Sequence, residues 1–259
     1  MQNFHTHTFR CHHAKGTDRD YVEAAIKAGY TEIGFSAHVP YPFPTEYYSD
    51  FRMELDKTQD YVNSIRSLQK EYEDKIKIRL GFEVEYYPQI FGDLLNFIKP
   101  FNYDYLILGQ HFTDNEFDDG AFYCGHKTKS VDTLDKYISQ TLEGLNTGEF
   151  AYFAHPDLIH FTGSKKIYKN KMSEFVKELK KLNIPLECNF LGFWDKRHYP
   201  DSDFWKLVAK EGNPVIIGLD AHQPEAYADK KRLDKMKKFL NDLGITPIEN
   251  IDITTKIKI

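Results

Sequence analysis

Short apolar runs alternate along this chain with longer stretches in which apolar residues recur at helical spacing, and the cycle repeats seven times. The first run, Gln2–His7, precedes a helical pattern at Asp18–Ala28, opened by an aspartate and stopped by Gly29. The second, Glu32–His38, leads through a proline- and aromatic-rich loop, Val39–Phe51, into a long helix near Met53–Asp74. The third, Ile76–Tyr86, is followed by a helix at Asp93–Ile98, ended by Pro100. After the fourth, Tyr105–Phe112, the loop Thr113–Lys129 reaches a helix at Val131–Leu145, stopped by Gly148. Ala151–His155 and a loop containing Gly163 precede a helix near Lys171–Leu182. Leu186–Phe190 leads through a loop with Trp194 and Pro200 to a helix at Ser202–Glu211. Val215–His222 precedes the last helix, near Lys231–Leu243. Ile245–Ile259 reads as a tail, with Lys256–Ile259 expected to fray.

Strict alternation of this kind predicts an α/β fold, a parallel sheet with helices outside it. Seven repeats point to closure as a distorted (β/α)7 barrel, with an open doubly wound sheet as the alternative. No glycine-rich phosphate loop follows the first run. No linker interrupts the pattern, so residues 1–259 are expected to form one domain.

The polar exceptions sit at the ends of the apolar runs. Alternate side chains of a strand share a face, so His5 and His7 point together, as do Asp220 and His222. Of the 11 histidines, those at 5, 7, 38, 111, 155 and 222 end runs instead of scattering through helices. Glu83 shares a face with Gly81 and Glu85, while Phe82 and Val84 face the other way. Glu187 and Asn189 share a face in the sixth run. Barrels of this type build their sites at the C-terminal strand ends. These imidazoles and carboxylates are therefore expected to meet on one rim and to hold metal ions there. His12, His126 and His198 read as solvated loop residues, and Lys165, Lys166, Lys169 and Lys171 as a solvated loop and helix start. Phe193 and Trp194 read as a pocket wall or as a cover over the barrel mouth.

Composition narrows the ligand. The 259 residues are 41% hydrophobic, enough for a sizeable core, and the net charge is −5. Non-specific nucleic-acid binding needs a basic footprint that is missing here. A small anion remains compatible, because bound cations override the global sign locally. No apolar run approaches the roughly 20 residues of a membrane span, and no basic segment with a following apolar stretch opens the chain. Cys11, Cys124 and Cys188 are odd in number and widely spaced, as expected of reduced thiols in a cytoplasmic protein. Cys11 lies among the histidines and reads as a packing residue, with a soft metal ligand as the alternative.

Taken together, His5-Thr-His7, Cys11-His12-His13-Ala14, Ser36-Ala-His38, Gly81-Phe-Glu83-Val-Glu85, Gly109-Gln-His111, Ala154-His155-Pro156-Asp157 and Gly218-Leu-Asp220-Ala-His222 resemble one family in order and spacing. It is the polymerase-and-histidinol-phosphatase (PHP) family of metal-dependent phosphoesterases, in particular its histidinol-phosphate phosphatases. The resemblance covers nearly the whole chain and implies a distorted (β/α)7 barrel. It also implies a trinuclear centre: one metal on His5, His7, Glu83 and Asp220, a second sharing Glu83 with His111 and His155, and a third on His13, His38 and His222. His13 enters this set by the family spacing alone. Two positions depart from the family: Trp194 stands where an arginine is frequent, the nearest arginine being Arg197, and Leu219-Asp220 replaces a Ser-Asp pair.

The resemblance implies hydrolysis of L-histidinol phosphate to L-histidinol and phosphate. Imidazole-rich donors suit Zn, Mn or Fe. Three divalent ions against two carboxylates and a hydroxide leave about +3, suited to a phosphate dianion. The expected course is in-line attack by a metal-activated hydroxide bridging the Glu83-linked pair, with Asp220 or a neighbouring histidine such as His222 protonating the leaving alkoxide. Arg197 and His160 are candidate phosphate ligands. Glu85, Asp157, Tyr41, Phe43 and Trp194 are candidate rim contacts to a cationic imidazole-bearing substrate. Alternatives are a family phosphoesterase acting on nucleotides or phosphotyrosine, a metal-dependent amidohydrolase, and a non-enzymatic metal-binding protein. Amidohydrolases often bridge their metals with a modified lysine at the end of strand four, where this chain has Gly109-Gln110-His111.

Overall fold

The structure, a computed structural model, describes residues 1–253, so the expected fraying of Lys256–Ile259 lies outside the described residues. The strands are β1 (Gln2–Asn3), β2 (Glu32–Phe35), β3 (Lys77–Val84), β4 (Tyr105–Leu108), β5 (Phe112–Thr113), β6 (Phe122–Tyr123), β7 (Tyr152–Phe153), β8 (Leu186–Asn189) and β9 (Val215–Gly218). Seven of them pair in parallel in the order β1-β2-β3-β4-β7-β8-β9. Asn3 lies opposite Ile33, Phe35 opposite Leu80, Glu83 opposite Ile107, Leu108 opposite Phe153 and Cys188 opposite Ile217. A parallel bridge between Thr6 and Ala221 joins the two ends of this sheet. There the His7 N–H donates to the Ala221 carbonyl at 3.0 Å, and the Ala221 N–H to the His5 carbonyl at 3.1 Å. The result is the nearly closed seven-stranded barrel that the repeat count predicts.

The helices are α1 (Asp18–Ala28), α2 (Thr58–Glu71), α3 (Phe91–Ile98), α4 (Val131–Asn146), α5 (Lys165–Leu182), α6 (Phe190–Asp195), α7 (Ser202–Glu211) and α8 (Lys230–Asp242). Local chemistry sets their ends. A reciprocal Thr17–Asp20 capping box opens α1, and Gly29 closes it at φ +87°. Ser130, Asp201 and Asp229 cap α4, α7 and α8. Each long helix turns an apolar stripe inward; on α2 it is Tyr61, Val62, Ile65 and Leu68. Phe82 of β3 meets that stripe at Tyr61, ring centroids 5.5 Å apart.

A second, smaller apolar cluster holds Phe4, Tyr105, Ile107, Tyr152, Ala154, Ile216 and Ile253. The Tyr105 side chain lies against Gly34 and Gly81, where a Cβ would sit 2.2 Å from its hydroxyl and 2.4 Å from its ring. Its hydroxyl donates to the Phe4 carbonyl at 2.7 Å. The stretch expected to be a loose tail instead packs onto this cluster through Ile251 and Ile253, and the Ile251 N–H donates to Gln2 Oε1 at 2.8 Å. Among the described residues no helix is long and apolar enough to cross a membrane.

Several boundaries differ from expectation, most of them at the rim. β1, β2, β4, β7 and β9 end before the histidines and Asp220 that were expected to close them. The backbone leaves the ladder there: His155 has φ +34° and Asp220 φ +50°. The expected loop Thr113–Lys129 contains an antiparallel pairing of β5 with β6. The expected loop after β8 contains α6, because the Asn189 side chain accepts the Gly192 N–H at 2.8 Å and starts a turn. α5 begins at Lys165, so the basic run lies along its first turns. A lysine-rich face carries no apolar period, which is why the pattern placed its start late.

Asn3 fastens the closing seam. Its side-chain carbonyl accepts the Leu219 N–H at 2.9 Å, and its amide donates to Thr6 Oγ1 at 3.0 Å and to the Tyr227 hydroxyl at 2.9 Å. Asn3→Leu, which leaves these buried partners unpaired, is expected to lower unfolding free energy by about 2–4 kcal/mol. Denaturant unfolding checks this, and a loss under about 0.5 kcal/mol would show that the seam does not depend on Asn3.

Candidate metal centre

His5 and His7 flank the closing bridge at Thr6, so both rings turn into the barrel mouth, with their Nε2 atoms 3.2 Å apart. Both rings are fully buried. Asp220, just past β9, brings Oδ1 to 3.4 Å from His5 Nε2 and 3.1 Å from His7 Nε2. Glu83, on β3, stands between these groups and the next. Its Oε2 lies 3.4 Å from His5, 3.3 Å from His7 and 3.0 Å from His38 Nδ1. Its Oε1 lies 2.8 Å from His155 Nε2 and 3.7 Å from His111 Nε2. At the outer edge, His13 Nε2 and His222 Nε2 are 2.9 Å apart, and His222 stacks on His7 with centroids 4.0 Å apart. Four overlapping triads bring one donor atom from each residue within 4.8 Å of the others: His5–His7–Asp220, His5–Glu83–His155, His38–Glu83–His111 and His7–His38–His222.

Hydrogen bonds fix the ring tautomers. His5 Nδ1 donates to Glu187 at 2.9 Å and His111 Nδ1 to Glu85 at 2.6 Å. His222 Nδ1 donates to the Asp220 carbonyl at 2.9 Å, and His13 Nδ1 to the Cys11 carbonyl. In a neutral ring so held, Nε2 carries only a lone pair. The His13 and His222 lone pairs therefore face one another at 2.9 Å, a repulsive contact that a shared cation converts into two bonds. His38 Nδ1, His155 Nδ1 and Asp220 Oδ1 are buried without hydrogen-bond partners. Adjacent nitrogen and oxygen ligands on one ion need bonds of about 2.0–2.2 Å, and the donor spacings here suit that reach. The donor set fits divalent transition metal ions.

Two glycines make room for the carboxylates. A Cβ on Gly109 would lie 2.0 Å from Glu83 Oε1, and one on Gly218 would lie 2.0 Å from Glu187 Oε2. The left-handed backbone at His155 and Asp220 is uncommon outside glycine and clusters at functional sites.

Burial works against every charge in the cluster, and the neighbours decide which charges survive. It disfavours charge on His5, but Glu187, Asp220 and Glu83 outweigh it and hold that imidazole well above its usual value. His7 moves the same way, against burial, through Asp220, Cys11 and Glu83. Burial would raise Glu83, but His5, His38 and His111 hold it well below the carboxylate range. Asp220 is likewise held down, against burial, by His5 and His222. Burial and then His7 push His222 down to about 3, and the same two causes lower His13.

A cavity of about 580 Å³ opens above this cluster, with Lys15, Phe51, Tyr123, Trp194, Arg197 and Tyr199 among its walls. Arg197 faces it, braced by Asp195 at 2.9 Å and by the Tyr199 hydroxyl at 3.0 Å. His160 is not among the cavity walls; it stacks on His198 at 3.9 Å and 6°. His198, expected to be solvated, is only partly exposed and meets the Leu158 carbonyl at 2.7 Å. Of the expected rim contacts, Trp194 lines the cavity and four others do not. Glu85 is buried between His111 and Arg52, the latter 2.7 Å away. Asp157 accepts the Asp201 N–H at 2.6 Å and the Trp205 indole N–H at 2.9 Å, which anchors α7. Tyr41 donates to the Glu85 carbonyl, and Phe43 packs on Tyr41. Tyr41, Phe43 and Asp157 lie in loops, which carry no period from which direction can be read, whereas Glu85 is covered by His111. Cys11 is buried with Sγ 3.7 Å from His7 Nδ1, behind the ring and on the side away from the shared Nε2 donors. Strand parity put Glu187 and Asn189 on one face; that Glu187 orients His5, and that Asn189 donates to Asp220 at 3.1 Å, was visible only in three dimensions.

Gly109→Ala is expected to push the Glu83 carboxylate aside and remove at least one bound metal equivalent, read by elemental analysis of the folded variant. Full metal content would show that Glu83 has slack. Because their neighbours hold His5 and His7 above the usual imidazole value, a cation entering the metal-free site competes with protons on both rings. Affinity should therefore climb with pH from 6 to 8, by up to about 100-fold per unit for two protons. Calorimetry in buffers of different ionisation enthalpy measures that release, and a pH-independent affinity would contradict it. By the same raised values, the His5 and His7 pairings stabilise metal-free protein fully below the unfolded imidazole pKa, and this is lost as pH rises through the folded values.

The chain is 29% identical over 231 residues to the probable histidinol-phosphatase of Deinococcus radiodurans, covering 85% of each. It is 27% identical over 254 residues to the histidinol-phosphatase of Bacillus subtilis, covering 85% of this chain and 92% of that one. It superposes with a TM-score of 0.72 and 25% identity, over 95% of both chains, on the histidinol phosphate phosphatase of Lactococcus lactis crystallised with zinc, L-histidinol and phosphate. The PHP domain pattern matches residues 3–190, which takes in β2 through β8 and every donor named above except Asp220 and His222. The chain belongs to the PHP domain family.

Proposed function

We propose that this protein is a metal-dependent phosphomonoesterase of one PHP-type domain that hydrolyses L-histidinol phosphate to L-histidinol and phosphate. The observation that carries this reading is the convergence of nine donor residues on one rim beneath an open cavity. The likeness to a relative crystallised with zinc, L-histidinol and phosphate supports the substrate. Three divalent ions, Zn, Mn or Fe, are assigned to the sets His5–His7–Glu83–Asp220, Glu83–His111–His155 and His13–His38–His222. His38 also lies against Glu83, so it borders two of these sets. A cytoplasmic location belongs to the same reading and agrees with three buried, unpaired cysteines.

When bound, the ions supply Lewis acidity and lower the pKa of water. The chain's own residues do the rest. Glu187 and Glu85 hold His5 and His111 in the tautomer that offers Nε2 to the mouth. Glu83, ionised despite its burial, bridges the inner imidazoles. Asp220 is also ionised at neutral pH. With His222 beside it at 3.3 Å, it is assigned to the proton that the leaving alkoxide takes up. Arg197, already braced by Asp195 and Tyr199, is assigned to the phosphate oxygens.

Turnover of L-histidinol phosphate by metal-reconstituted protein should exceed that of p-nitrophenyl phosphate in kcat/KM by at least about tenfold, roughly what one well-made substrate contact supplies. A preference for the aryl phosphate would overturn the substrate assignment. Glu83→Ala should lose metal and activity together; turnover with full metal occupancy would refute its bridging role.

A further inference from the structure

One wall of the cavity has no part in the chemistry above. Trp194, in α6, lines the cavity and stands edge-on to Phe190, centroids 5.4 Å apart at 86°. The guanidinium of Arg232, on α8, lies 4.4 Å from the indole centroid. Arg232 is not among the cavity's walls, so it approaches the indole from outside the cavity. Asp229 holds Arg232 in turn, at 2.9 Å. The indole is thus held by two neighbours before any ligand arrives, and it remains a wall of the cavity.

The charges around it favour a neutral ring. Outside the metal cluster, Asp195 is the single acid among the cavity's described walls, and its carboxylate is engaged by Arg197. No free carboxylate is left there to hold a cation. A guanidinium behind an indole also draws π-density away from the opposite face, which then stacks better on a neutral, electron-rich heterocycle than on a protonated one. We infer that Trp194 is a specificity-determining residue that stacks the neutral imidazole of the leaving group while the phosphate lies at the histidine rim. Arg232 is a positioning residue acting through it. This rests on the histidinol phosphate reading.

The chain has two tryptophans, and Trp205 is fully buried, so ligand-dependent emission reports Trp194. L-histidinol added to the metal-loaded protein should change that emission saturably, and the change should vanish in Trp194→Ala; inorganic phosphate should produce none. In turnover, Trp194→Ala should lower the ratio of kcat/KM for histidinol phosphate over phosphoethanolamine, which has no ring, by about tenfold, through KM. Trp194→Phe should restore most of that ratio, and Arg232→Ala should lower it about threefold without changing kcat. An unchanged ratio in Trp194→Ala, or an emission unresponsive to L-histidinol, overturns the stacking role. Wild-type protein that hydrolyses both substrates equally well would instead defeat the histidinol phosphate reading. The emission titration with L-histidinol then decides the stacking role alone, a saturable Trp194 response supporting it and a flat one overturning it.

Discussion

The carboxylate of Glu83 lies within 3.7 Å of five imidazoles, those of His5, His7, His38, His111 and His155. Two oxygens cannot hydrogen-bond that many rings well, and the rings cannot all carry protons beside one another without repulsion. Cations standing between the donors would relieve that crowding. The short strands, the abrupt backbone at their ends and the bare Cα of Gly109 all serve to bring this group together and leave it room.

Behind the donors stands a layer that does not reach the cavity. Glu187 fixes His5, Asn189 ties Glu187 to Asp220, and Glu85 fixes His111. Glu85 is itself held by Arg52, a buried guanidinium shared with Glu116 and with the Tyr87 hydroxyl. Burial opposes charge on Arg52, and the two carboxylates outweigh it and keep it ionised. An ion pair of this kind adds little net stability, but removing one partner strands the other. Its effect is on direction: it ties the long loop after β2 to the orientation of a metal-type histidine.

Much of this was legible in the sequence. Period-two parity paired His5 with His7 and put Glu83 inward, and both follow from backbone geometry that every strand shares. Parity also paired Asp220 with His222, although the backbone leaves the ladder before either. The alternation of runs and helices announced the barrel. His13 was recoverable only through family spacing, because it lies in a loop after a short 3-10 turn, Phe9–Cys11. Side chains whose partners are set by tertiary packing were misjudged. Glu85 and Asp157 were read as rim acids, yet each is consumed by an internal hydrogen bond. The distinction between a charge facing substrate and one facing the protein is made by tertiary packing, and no local pattern encodes it.

The seam at Thr6 and Ala221 has a temporal implication. Donors that precede α1, His5 and His7, meet Asp220 and His222, which follow β9. A nascent chain, or one clipped ahead of β9, carries only a partial ligand set and an open sheet edge. A full donor set therefore exists only once this seam has closed, so the contact that shuts the barrel is also the one that finishes the centre.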